Sequence, residues 1–272
     1  MVCSAPLFTI KSNSMISAVF KFFPIYLFVF SFVLPTKSAH AEPVRIAIII
    51  DDIGYRYTDK NALTLPGAIT YAILPHTPYG KKIALKANAK HKDVMLHIPM
   101  EAENGKKLGP GGLTSAMNEK EIVASLNASL AEIPFAIGIN NHMGSHLTQL
   151  DDPMIWTMTF LKQHHLLFLD SKTSPNSKAE DIARLMGVPV HNRHVFLDNN
   201  LTESYITKQF NLLINQAKSQ KMAIAIAHPH PETITALKRL IPTLAKNNIE
   251  LVPLSALYST FKNYQTQLVI SE

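Results

Sequence analysis

The chain has 272 residues, 47% of them hydrophobic and 17% charged, with a formal net charge of +6. That length buries a substantial core and fits one domain, since α/β barrels commonly run to 200–250 residues. No basic run or aromatic-interleaved basic stretch accompanies the positive charge, which sets a nucleic-acid role aside.

The first 41 residues contain Lys11, Lys21 and Lys37 and no acid, and an apolar run fills 22–34 before Ala39-His40-Ala41. An apolar core of this kind, flanked by positive residues and closed by small ones, is the pattern of a secretory signal peptide. Cleavage is expected after Ala41, giving a signal peptide over 1–41 and one domain over 42–272. An uncleaved anchor usually needs about 20 apolar residues, and Pro24 and Pro35 interrupt this run. Met15 offers a second possible start. Loss of the leader's three lysines leaves 23 Lys and Arg against 20 Asp and Glu, a net +3. Cys3, the only cysteine, leaves with it, so disulfides are excluded as a stabiliser although an exported chain could form them.

Beyond the leader, strand and helix signals alternate. Residues 46–50 are an unbroken apolar run, the pattern of a strand buried on both faces of a parallel sheet, and Asp51-Asp52 follow at once, with Gly54 permitting a turn. Further strands are expected at 69–74, 94–98, 136–139, 166–169, 188–191, 223–227 and 249–252. Asn118 with Glu121 and Ser177 with Glu180 have capping-box spacing, Pro153 suits a first helical turn, and Gly187 suits a helix C-terminus. Strands alternating with helices imply crossovers and a parallel sheet. Seven or eight such units predict a (β/α)7–8 barrel; a doubly wound open sheet is the alternative.

The residues just after each strand are the distinctive ones: Asp51-Asp52, His76, His97 to Glu101, Asn140 to His146, Asp170-Ser171, Asp198 to Asn200, and His228 to Pro231. In a parallel barrel these ends converge on one face. Imidazoles with carboxylates there form the ligand set of a hydrolytic divalent metal such as zinc. Two adjacent Asp also exceed what a helix cap requires.

The strings Ile50-Asp-Asp-Ile-Gly-Tyr55, His97-Ile-Pro-Met-Glu101, Asn141-His-Met-Gly-Ser145, Phe168-Leu-Asp-Ser171 and Ala225-Ile-Ala-His-Pro229 resemble the divergent polysaccharide deacetylase family of exported bacterial proteins. The resemblance runs from about Arg45 to Leu257 and implies a distorted barrel of the deacetylase type. It further implies Asp51 as general base, Asp52 as metal ligand and His228 as general acid. Better-known deacetylases take two His ligands from an H-x-x-x-H element, a spacing that His142 and His146 share. The divergent pattern includes His142 and His97 instead. The resemblance therefore implies Asp52, His97 and His142 as metal ligands, with His146 in reserve.

On this reading the chain hydrolyses the acetamide of an N-acetylated glycan such as peptidoglycan, in the periplasm of a Gram-negative bacterium, and meets the membrane only during export. Asp51 takes a proton from water and His228 protonates the departing amine. Asp170 is expected to orient His228, Glu101 to be a neighbour of the metal site or a substrate contact, and Asn140 and Asn141 to meet sugar hydroxyls. His191, Arg193 and His194 are expected near the mouth. Two other readings remain open: a catalytically silent glycan-binding or scaffold protein, and metal-dependent hydrolysis of an ester or phosphoester.

Overall fold

A computed structural model describes residues 43–258; the expected signal peptide and its cleavage site lie outside the described residues. Nine strands are present: β1 (Val44–Ile53), β2 (Thr70–Ile73), β3 (Val94–Met100), β4 (Gly138–Met143), β5 (Leu167–Asp170), β6 (Val190–Asn192), β7 (Val195–Phe196), β8 (Met222–Ala227) and β9 (Ile249–Leu251). Six α-helices alternate with them: α1 (Gly80–Asn88), α2 (Glu119–Glu132), α3 (Asp151–Gln163), α4 (Ala179–Met186), α5 (Glu203–Gln220) and α6 (Pro231–Leu240).

The strands run β6-β5-β4-β3-β2-β1-β8-β7, and every ladder is parallel. Sequence neighbours are spatial neighbours from β1 to β6. That is the winding of a β/α barrel, since a doubly wound sheet reverses its order at a switch point. Among the described residues no ladder joins β6 to β7, so the sheet curls without closing. β9 pairs only with the start of β1, Val44 to Ile46.

Alternate residues of each strand enter two separate cores, as the period of two requires. Ile46, Ile48 and Ile50 pack outward beneath the helices, while Ala47 and Ile49 join Met95, Leu167, Leu169, Ile224 and Ile226 in the barrel interior. The inward residues form a layer directly below the strand ends.

Local signals hold at most element ends. Asn118 and Glu121 exchange side-chain bonds with each other's backbone at the start of α2, and Gly187 closes α4 in the left-handed conformation. The Ser177–Glu180 box does not form. Ser177 donates to Asp170, and Glu180 accepts from Arg184 and Asn192. β4 starts later than expected and runs through Asn140 to Met143, β6 is displaced to Val190–Asn192, and β7 has no counterpart among the expected strands. Two-residue strands carry too little periodicity to be read from sequence.

Ile226 is fully buried in the inner layer two residues before His228. Ile226→Ala is expected to destabilise the fold by about 2–5 kcal/mol, measurable as a lower denaturant midpoint with an unchanged slope.

Candidate metal centre

Asp51 and Asp52 occupy the carboxyl end of β1. Successive strand residues face opposite ways, so an undisturbed strand would aim only one of them into the barrel. The register with β2 breaks here: Ile50 pairs with Tyr71 and Ile53 with Ile73, leaving Asp51 and Asp52 opposite a single residue. Asp52 takes the left-handed conformation, φ 58°, which Asp tolerates better than most residues. This bulge re-aims its side chain. As a result both carboxylates reach His97 Nε2, Asp51 Oδ2 at 3.7 Å and Asp52 Oδ1 at 3.1 Å. Gly54 completes the turn at φ 144°, where a Cβ would stand 2.1 Å from Thr77 Oγ1.

His97 and His142 come from the adjacent strands β3 and β4, where His97 pairs with Asn140 and Pro99 with His142. Asp52 Oδ1 lies 2.7 Å from His142 Nδ1, and His142 Nδ1 lies 3.2 Å from His97 Nε2. Asp52, His97 and His142 thus form a group able to hold a metal ion. Tetrahedral zinc with bonds of about 2.0–2.1 Å spaces its ligands roughly 3.3 Å apart, close to these separations.

The surroundings also suit a cation. Asn140 Oδ1 lies 2.8 Å from His97 Nδ1, so neutral His97 donates its proton there and turns an unprotonated Nε2 to the centre. The amide nitrogen of Asn140 donates to both oxygens of Asp51 at 2.9 Å. Burial raises the Asp51 pKa, against the pull of His97 and His228. Burial also works against charge on Asp52, yet hydrogen bonds from His142 and His97 hold its carboxyl far below the usual range. For His97, burial opposes the charged ring, but Asp51 and Asp52 outweigh it and raise the pKa. A site whose carboxylates favour a proton on His97 also favours a metal cation there.

His228 follows β8, with Nε2 3.9 Å from Asp52 Oδ2. Its Nδ1 lies 2.9 Å from Asp198 Oδ1, while Asp198 Oδ2 accepts from the His228 backbone and from Thr233. Burial depresses the His228 pKa, but Asp198, followed by Asp52 and Asp51, carries it up to about 9.

Asp198, not Asp170, is therefore the acceptor on His228. The reason is strand parity. Phe168 faces outward, so Asp170 does too; it accepts from Ser177 and from the Lys172 backbone. Phe196 faces inward, and Asp198, two residues later, keeps that direction. The same rule removes Asn141, which shares the outward parity of Ile139 and ties Met143 to Ser171. Neither Asn140 nor Asn141 offers its amide to a sugar in this arrangement. Glu101 accepts from Ser115, and its carbonyl receives the amides of His146 and Leu147. His146 lies outside the Asp52–His97–His142 group. His194 accepts from the Ile224 amide and His191 sits beside Tyr258 at the Leu257 carbonyl, leaving Arg193, stacked 3.7 Å over Phe196, at the mouth.

Comparison with known proteins agrees with this architecture. The chain is 38% identical over 214 residues to the uncharacterized protein YibQ of Escherichia coli K12, covering 78% of this chain and 67% of that one. It is 36% identical over 235 residues to an uncharacterized protein of Haemophilus influenzae, covering 86% and 83%. The crystal structure of the uncharacterized protein ATU2773 from Agrobacterium tumefaciens superposes with a TM-score of 0.76 at 26% identity, covering 80% of this chain and 91% of that one. The Bc1960 peptidoglycan N-acetylglucosamine deacetylase shares the fold at a TM-score of 0.51 and 12% identity, covering 80% and 89%. The sequence profile of the divergent polysaccharide deacetylases matches residues 48–258, and the chain belongs to that family.

Proposed function

We propose that this protein is a metal-dependent N-deacetylase of an N-acetylated glycan, with peptidoglycan the first candidate, exported to the periplasm of a Gram-negative bacterium. The observation that carries the reading is the convergence of Asp52, His97 and His142 donor atoms within 2.7–3.2 Å of one another, flanked by Asp51 and by His228. Family membership supports hydrolysis, and the basic, acid-free leader supports export.

Asp52, His97 and His142 would hold the metal, zinc being the best match to a His–His–carboxylate set. When bound, a divalent cation supplies Lewis acidity toward an acetamide carbonyl and toward water. The remaining work falls to protein groups. Asp51, its carboxylate held by the Asn140 amide, would accept the proton of the attacking water. His228, whose Nδ1 is held by Asp198 and whose pKa is raised by that carboxylate against burial, would donate from Nε2 to the departing amine. Base and acid thus stand at the carboxyl ends of the neighbouring strands β1 and β8.

Purified protein is expected to retain about one equivalent of zinc or a similar divalent ion, lost in His142→Ala; elemental analysis after dialysis decides it. Retained metal without acetate release from acetylated glycans would leave a glycan-binding role as the better account. Asp51→Asn and Asp198→Asn are each expected to lower acetate release by about 10²–10⁴-fold with metal content unchanged; loss of metal in Asp51→Asn would reverse the roles of the two Asp. Because a proton competes with the metal for Nε2 of His97, whose pKa is raised, metal affinity should weaken as pH falls. Competition with a chelator at pH 8 and pH 6 measures this, and an equal affinity at both would remove His97 from the ligand set.

A further inference from the structure

Beside the Gly54 turn, the 3₁₀ segment Tyr57–Thr64 and helix α1 form a shallow cleft lined by Tyr57, Lys60, Tyr79, Lys82, Ile83 and Lys86. Lys60 Nζ sits 3.4 Å above the Tyr57 ring, and Tyr57 meets Tyr79 edge to face at 5.8 Å. Tyr57 is 56% exposed. No acidic side chain lines the cleft, and none of the ion pairs among the described residues involves Lys60, Lys82 or Lys86. The three ammonium groups act on one place: Lys60, then Lys86 and Lys82, lower the Tyr57 phenol pKa.

Three uncompensated like charges repel, and Lys82 and Lys86 also stand one helical turn apart, a spacing that weakens a helix. An anion in the cleft relieves this. Tyr57, exposed although Lys60 covers part of its ring, supplies what a sugar ring needs, a flat apolar surface with a polar edge, while half-buried Tyr79 packs against the core and supports it edge to face. The cleft is also tied to the metal centre. Tyr79 donates its backbone N–H to the Gly54 carbonyl at 2.9 Å, and Tyr57 follows Asp52 by five residues, roughly 18 Å of chain at most. A glycan occupying the centre is within a few sugar units of it.

We propose that this cleft binds an acidic saccharide unit, one bearing a carboxylate or phosphate, of the same chain whose acetamide enters the metal centre. The proposal rests on the glycan reading above and narrows it to anionic glycans. The ring of Tyr57, backed by Tyr79, contacts the sugar, and Lys60, Lys82 and Lys86 hold its charged group.

The test is calorimetric titration of the full-length protein at low salt. A hyaluronan tetrasaccharide is compared with a neutral N-acetylglucosamine tetrasaccharide, and N-acetylglucosamine 1-phosphate with N-acetylglucosamine. At least one acidic ligand should bind about tenfold more tightly than its neutral counterpart, and the pair that shows the difference identifies carboxylate or phosphate. The preference should shrink at about 0.5 M salt and vanish in the triple variant Lys60→Gln, Lys82→Gln, Lys86→Gln. Tyr57→Ala should weaken acidic and neutral sugars alike. Equal affinities in wild type, or a preference that survives the triple variant, would overturn the proposal. So would lysine-dependent binding to vesicles of anionic phospholipid with no saccharide bound, which would make the cleft a membrane contact. Acidic preference without acetate release would leave this site standing and defeat the deacetylase reading; acetate release without acidic preference would do the reverse.

Discussion

Everything at the mouth of this barrel depends on one backbone event, the left-handed conformation of Asp52 within the β1 bulge. Strand geometry gives each consecutive pair of residues opposite faces. Asp52, two residues after the outward Ile50, would by that rule lie under the helices in an apolar layer. A buried carboxylate without partners there would be prohibitively costly. The bulge turns it inward, where two imidazoles meet it. Such a conformation costs of order 1–3 kcal/mol and persists because the surroundings over-determine it: Gly54 has room only for hydrogen beside Thr77, and Asp59 receives the amides of Gly54 and Arg56.

The second constraint is that a buried polar cluster must satisfy its members. Asn140 does this for two groups at once, taking the His97 proton with its oxygen and holding Asp51 with its nitrogen. It thereby fixes the tautomer of one residue and the position of another, and its own amide orientation follows from theirs. Asp198 does comparable work on the other side, receiving the ring, the backbone of His228 and the Thr233 hydroxyl. The centre is therefore two anchored halves, β3–β4 and β7–β8, joined through β1.

The open seam between β6 and β7 has its own substitute for a ladder. Arg193 lies on the link between them, and its backbone and guanidinium reach the carbonyls of Asp170, Ser171 and Lys172 while its charge rests on Phe196. Phe196 in turn lies 6.3 Å from the His228 ring. Arg193 thus holds the end of β5 and the loop after it against β7 where strand pairing stops, beside His228.

Much of this was written in the linear pattern. Apolar runs marked eight of the nine strands, their alternation with helices gave the barrel, and the polar residues after each run gave His97, His142 and His228 their common face. Strand parity carried past the strand ends sets Asp170 and Asn141 apart, because Phe168 and Ile139 fix those directions; the inward direction of Asp198 is fixed only by Phe196 of β7. Other features had no local signal. The two residues of β7 are too few to show a period, the Ser177–Glu180 box lost to the buried acceptor Asp170, and Asn140 reads like any loop amide until its two partners arrive from β1 and β3. The sequence by itself determined which residues stand at the strand ends, since hydrophobic periodicity is local. Only the tertiary structure decided that Asp51 and Asp52 face the same way, because a bulge exists only relative to the strand it is paired with.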